Sequence, residues 1–187
     1  MYTSPESTDC PRCDAPIDPT LLDRVPRDMQ NPTNLPSPLH QSVTWEVAPL
    51  KGTPPEPRSG HTFTVIGTKA YLFGGVGRKD GTAAALGDLH ALDLNNAELL
   101  NWTGEIKTPG AGPSARSRHT CTAVKHFLVV VGGLNHRTRY NDVWVFDTKA
   151  KVWTELLCEA KDVEDGVPSP RAHHTATLVG DQLFVFG

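Results

Sequence analysis

Cysteine, methionine and tyrosine are all scarce in this 187-residue chain, at four, two and three residues. The cysteines stand at 10, 13, 121 and 158 with no even spacing. They form no disulfide framework and fit a reducing compartment. No apolar run approaches the roughly 20 residues a membrane helix needs, and no basic start leads into an apolar stretch. The expectation is therefore no membrane span, no secretory leader and a cytoplasmic location, with cytoskeletal or ciliary association open. Helical periodicity of useful length is missing too, which leaves strands. A basic surplus is also absent. Residues 1–42 carry the whole net charge of −3 through six acids and three bases, while the rest balances fifteen of each. A neutral domain is poor ground for nucleic-acid binding.

What the chain does have is a repeat. His61-Thr62-Phe63-Thr64-Val65-Ile66 returns as His119-Thr120-Cys121-Thr122-Ala123-Val124 and as His174-Thr175-Ala176-Thr177-Leu178-Val179. An arginine precedes each copy by three residues (Arg58, Arg116, Arg171), at separations of 58 and 55. Each copy leads into an apolar run that ends in glycine: YLFGG (71–75), LVVVGG (128–133) and LFVFG (183–187). After the doublets Gly74-Gly75 and Gly132-Gly133 come a loop, a run GDLHALDL (87–94) or NDVWVFD (141–147), and a run holding Trp102 or Trp153. Each unit is thus four short runs, A to D, broken by Gly, Asn, Asp or Pro. The spacing predicts strands near 60–66, 69–74, 88–93 and 100–106, then near 118–124, 126–132, 142–147 and 151–157. Both faces of run A carry apolar or small uncharged groups, as in a sheet sandwiched between neighbours. A period of this size marks one supersecondary unit repeated and stacked.

The Pro-Arg-x-x-His start (Pro57-Arg58, Pro170-Arg171), the glycine doublets and the later Trp, all in register, resemble the kelch repeat over residues 45–187. Ala115 stands where that pattern has Pro, and His90 and Trp144 where it often has Tyr. The resemblance implies an all-β fold of four-stranded antiparallel blades in a β-propeller. Run VTWEV (43–47) matches strand D, so the repeat is entered at a closing D strand. Blade 1 then spans 58–107, blade 2 spans 116–157, and 171–187 forms the first half of blade 3. The missing blades are expected from the rest of a longer chain or from another chain. Residues 1–42 hold eight of sixteen prolines and few aliphatics, and read as an extended or disordered arm.

Candidate chemistry is thin. Cys10 and Cys13 have the spacing of half a tetrahedral zinc site, but the arm offers no second pair, and no bound metal or other cofactor is expected. His61, His119 and His174 occupy one position in successive units, so stacking separates them. Their expected role is a hydrogen bond from ring to backbone near the start of strand A. Cys121 reads as a small buried hydrophobe. The copper and iron constellations of catalytic kelch-type propellers are not matched, Tyr71 and Tyr140 being the only tyrosines in the repeats. No active site is expected within these residues.

In a meander the D–A and B–C connections emerge on one face. Those loops hold eleven bases (Lys51, Arg58, Arg78, Lys79, Lys107, Arg116, Arg118, Arg137, Arg139, Lys161, Arg171) against six acids (Glu56, Asp80, Glu159, Asp162, Glu164, Asp165). Arg58, Arg116 and Arg171 repeat, and are expected to pair with backbone carbonyls or with Asp88 and Asp142. With His61, His119, His174, the doublets, Trp102 and Trp153 they make up the repeated framework. Arg78, Lys79, Arg118, Arg137 and Arg139 do not repeat and are the candidate partner-binding residues. The expectation is a non-enzymatic scaffold or adaptor binding a protein, in particular an acidic segment. The alternative is the regulatory or substrate-recognition propeller of a larger enzyme, a serine/threonine phosphatase or a ubiquitin-ligase receptor.

Overall fold

The computed structural model describes residues 46–79, 81–157 and 167–187. Its described residues form fifteen strands and no helix, in two sheets and three hairpins. The first sheet contains β1 (Leu50–Lys51), β2 (Thr62–Ile66), β3 (Lys69–Phe73), β6 (Leu89–Asp93) and β7 (Leu100–Glu105), in the order β1-β7-β6-β3-β2. The second contains β8 (Thr120–Val124), β9 (Phe127–Val131), β12 (Val143–Asp147) and β13 (Val152–Leu156), in the order β13-β12-β9-β8. Hairpin β14 (Thr175–Val179) with β15 (Gln182–Phe186) repeats the first half of that pattern. The all-β architecture of antiparallel repeated sheets is the one the sequence spacing predicts.

Two-residue turns set the register of each leading hairpin. Ile66 pairs with Lys69, Val124 with Phe127, and Val179 with Gln182. The first turn residue is left-handed each time: Gly67 at φ 59°, Lys125 at 56° and Gly180 at 62°. That backbone twist suits a hairpin. From there the ladder runs without slip through β2–β3 and β8–β9.

Two features were not expected. The B–C connections are hairpins in their own right: β4 (Val76–Lys79) with β5 (Thr82–Ala85), and β10 (Leu134–Asn135) with β11 (Thr138–Arg139). In addition, β1 runs parallel along the outer edge of β7, Leu50 opposite Leu100 and Lys51 opposite Asn101. Of the expected closing strand 43–47, residues 43–45 lie outside the described residues, and Glu46 and Val47 are not in a strand.

The core lies between the two sheets. Tyr71, Phe73, Leu89 and Ala91 of the first sheet meet Leu128, Val130, Trp144, Phe146 and Trp153 of the second. Trp153 is the wedge, its ring 5.2 Å from Phe73 and 4.9 Å from Phe146. An aromatic plate of this size removes a large apolar area from water, the main favourable contribution to stability.

Candidate functional site

The repeated arginines are tied into the sheets. Arg58 lays its fork on Asp88, Nη1 to Oδ1 at 2.6 Å and Nη2 to Oδ2 at 2.9 Å, and donates also to the Gly74 carbonyl. Arg116 does the same to Asp142 at 2.6 and 2.8 Å and to the Gly132 carbonyl. Arg171 reaches the Gly187 carbonyl at 3.2 Å. The Arg116 guanidinium also stacks 4.3 Å over the Tyr140 ring. Two parallel charge-assisted bonds fix a guanidinium against a carboxylate more firmly than an ammonium could. Each carboxylate takes a further bond from the residue two positions on, His90 Nε2 at 2.7 Å or Trp144 Nε1 at 2.9 Å. His90 and Trp144 therefore perform one task with different rings. Burial pushes both carboxyls up, but the arginine and ring donors outweigh it, and Asp88 and Asp142 are held below the usual carboxylate range.

The histidines link successive units. His119 Nε2 meets Thr62 Oγ1 at 2.9 Å, and His174 Nε2 meets Thr120 Oγ1 at 3.0 Å. The partner is thus a threonine hydroxyl in the preceding unit, where the sequence suggested the backbone; strand A stacks on strand A and brings the hydroxyl nearer. Burial, then the Arg116 charge, pulls the His119 pKa down to about 3, so its ring is neutral. The doublets make this approach feasible. Gly75 N–H donates to the Arg116 carbonyl and Gly133 N–H to the Arg171 carbonyl, both at 2.8 Å. Gly133 sits at φ 100°, and a Cβ there would lie 2.8 Å from His119 Cβ and 2.9 Å from the Ser117 carbonyl oxygen.

One repeat position is backbone-strained. Gly60, Arg118 and His173 are equivalent, and all are left-handed, at φ 65°, 57° and 64°. Their backbones form a chain: Arg118 N–H donates to the Gly60 carbonyl at 2.7 Å, and His173 N–H to the Arg118 carbonyl at 3.0 Å. Glycine accepts this conformation without penalty, whereas a side chain costs about 1–2 kcal/mol. Beside this chain lies a cleft of about 440 Å³. Val76 and Ala83–Ala85 wall one side, Leu134, His136 and Arg139 the other, and Ser117, Arg118 and His173 complete it. Bridges Ser59–Val76 and Ser117–Leu134 tie each D–A connection to the neighbouring B–C hairpin. Arg118 donates to Nε2 of His173. Among the described residues, the lining holds two guanidiniums, two imidazoles and no carboxylate.

The profile of the KLHDC2/KLHL20/DRC7 Kelch-repeats domain matches residues 34–187. The chain belongs to the kelch-repeat family. Among similar proteins, the dynein alpha chain of the flagellar outer arm from Chlamydomonas reinhardtii is 48% identical over 147 residues, covering 78% of this chain and 3% of that protein. Acyl-CoA-binding domain-containing protein 4 from Arabidopsis thaliana is 32% identical over 147 residues, covering 78% and 20%. Human host cell factor 1 is 33% identical over 165 residues, covering 79% and 8%. This chain spans only a small part of each relative's length.

Within the kelch framework, the cleft gathers Arg118 and Arg139 but not the other candidates. Arg78 is exposed on β4 and pairs across the hairpin with Ala83, Lys79 ends the same strand, and Arg137 is exposed in the β10–β11 turn. Lys107 is paired with Glu105. Lys161 and the acids Asp80, Glu159, Asp162, Glu164 and Asp165 lie outside the described residues, as do Cys10, Cys13 and Cys158. Burial raises the Cys121 thiol to about 11, which makes it unreactive. Among the described residues, no helix is long and apolar enough to cross a membrane. Ser117 and His136 were missed in the sequence: Ser117 reads as a spacer between two arginines, and His136 falls in a turn.

Proposed function

We propose that this kelch unit is a protein-interaction module that captures an acidic segment of a partner on the face of the D–A and B–C connections. The observation that carries the reading is the cleft lining: Arg118, Arg139, His136 and His173 converge with no carboxylate among the described lining residues. The left-handed backbone of Arg118 supports it, because a strained side chain persists where something other than stability retains it. Planar guanidiniums match carboxylates by two parallel hydrogen bonds. Capture should weaken with salt, since exposed charges are screened beyond about 8 Å at physiological ionic strength. No catalytic step is assigned to these residues. The test is quantitative affinity purification with full-length protein carrying Arg78, Arg118, Arg137 and Arg139 all changed to Glu. Loss of the partners recovered by the wild type is expected; unchanged capture rules this face out.

A ciliary setting is favoured by the 48% identity with a flagellar outer-arm dynein chain. In this reading the module docks a component of a motor assembly. Fractionation of ciliated cells checks it: the protein should co-sediment with axonemes and be released by high salt. Recovery only in the cell body would count against it.

A further inference from the structure

We infer that the cleft beside Arg118 is built for a phosphorylated serine or threonine rather than for a glutamate or aspartate. This rests on the acidic-segment reading and narrows it. Arg118 and Arg139 bring two permanent positive charges to one cleft. A carboxylate would neutralise one of them, whereas a phosphomonoester carries about −1.5 to −2 at pH 7 and three strong acceptor oxygens. The donors available exceed what two carboxylate oxygens can use. Arg139 makes no ion pair among the described residues, so its fork is open to a ligand.

A second observation is independent of charge. Ser117, 1% exposed among the cleft residues, keeps a hydroxyl with no hydrogen-bond partner among the described residues. A buried hydroxyl left unmatched is costly, and because Ser117 belongs to the cleft lining the inference assigns it as a donor to the bound phosphate. The Arg118 guanidinium, meanwhile, is aimed by its contact with His173. A guanidinium only donates, so Nε2 of His173 is the acceptor. Gly60 leaves room for the arginine stem: Arg118 Cγ lies 3.2 Å from where a Cβ on Gly60 would be. The walls are small or aliphatic at Ala83–Ala85, Val76 and Leu134. They suit the methylene or methyl of a phosphoserine or phosphothreonine, and they supply no negative charge to oppose it.

Two capped tripeptides, acetyl-Gly-phosphoserine-Gly-amide and acetyl-Gly-Glu-Gly-amide, test the inference by titration into the full chain. Binding is measured by isothermal titration calorimetry for every variant, and in the wild type the Arg118 and Arg139 Nε–Hε resonances locate it. The phosphopeptide should bind at least tenfold more tightly than the glutamate peptide, inorganic phosphate should compete with it, and R118A/R139A should reduce binding at least tenfold with the amide spectrum still dispersed. Ser117→Ala should lower phosphopeptide affinity several-fold and leave the weak glutamate binding unchanged. Equal binding of the two peptides overturns the phosphate inference while the acidic-segment reading stands. Failure of both peptides to shift these resonances also overturns it. Retention of the protein by vesicles of phosphatidylcholine with 5% phosphatidylinositol 4-phosphate, without phosphopeptide binding, would assign the cleft to a membrane instead. The acidic-segment reading itself falls only if the four-arginine reversal leaves partner capture unchanged.

Discussion

Arg116 is 0% exposed and meets a carboxylate within 3 Å, whereas Arg118, two residues on, is exposed, left-handed and faces a cleft with none among its described lining residues. Arg116→Lys keeps the charge but loses the fork, and should cost about 1–3 kcal/mol in urea unfolding. Arg116→Ala strands the Asp142 carboxylate and should cost about 3–5 kcal/mol; an unchanged midpoint for either variant would contradict the clamp. This contrast was half legible in the sequence. Arginines recurring three residues before each His, with an Asp after each doublet, point to a repeated pairing. Nothing local to Ser117-Arg118-His119 announces a left-handed backbone, because arginine has no preference for it. The signal lies only in the register, which sets Gly60 at the same place.

The elements meet through backbone and histidine contacts as well as through the apolar core. Gly133→Ala would place its Cβ 2.8 Å from that of His119 at a φ of 100°, and should lower stability by roughly 2–4 kcal/mol. The histidine contacts make stability depend on pH. An unfolded His119 ring takes up a proton near 6.5, the folded one only near 3. Between those values the unfolded state binds more protons, so stability that is complete above about 6.5 falls as pH drops, by about 1.4 kcal/mol per unit for one ring. His174 shifts in the same direction through burial and Arg171. The depressed carboxyls of Asp88 and Asp142 add a further loss below their usual value of 3.8. Urea midpoints at pH 7, 5.5 and 4.5 should decline in that order, and His119→Asn should flatten the slope; a flat wild-type profile would contradict it. The strands were readable from alternation, and their antiparallel order was what the kelch resemblance implied. The B–C hairpins were not read, although Asp80-Gly81 is a strong hairpin signal; the second hairpin turns on His136 at φ 50°, which carries no such signal.

At the scale of the whole described region, one repeated position records how stacking proceeds. Phe73, backed by Trp153 of the next sheet, is 1% exposed, and its counterpart Phe186 on the last hairpin is 81% exposed. Between the second sheet and that hairpin lies an apolar cavity of about 340 Å³, lined by Val129, Val131, Val143, Leu156, Leu183 and Val185 among others. Phe73→Ala should therefore cost about 3–5 kcal/mol and Phe186→Ala within about 0.5 kcal/mol in this chain. The stack was legible because repeats advertise their period; the cleft was not, because it arises only when two hairpins and a third unit come together. On the proposed function, Arg118 is held in a strained backbone for binding and not for folding. Arg118→Gly tests it most directly, with melting temperature and affinity for an identified partner measured on the same full-length samples. An equal or higher melting temperature is expected, since glycine relieves the left-handed strain, together with at least a tenfold loss of affinity. A lower melting temperature with affinity unchanged would contradict it.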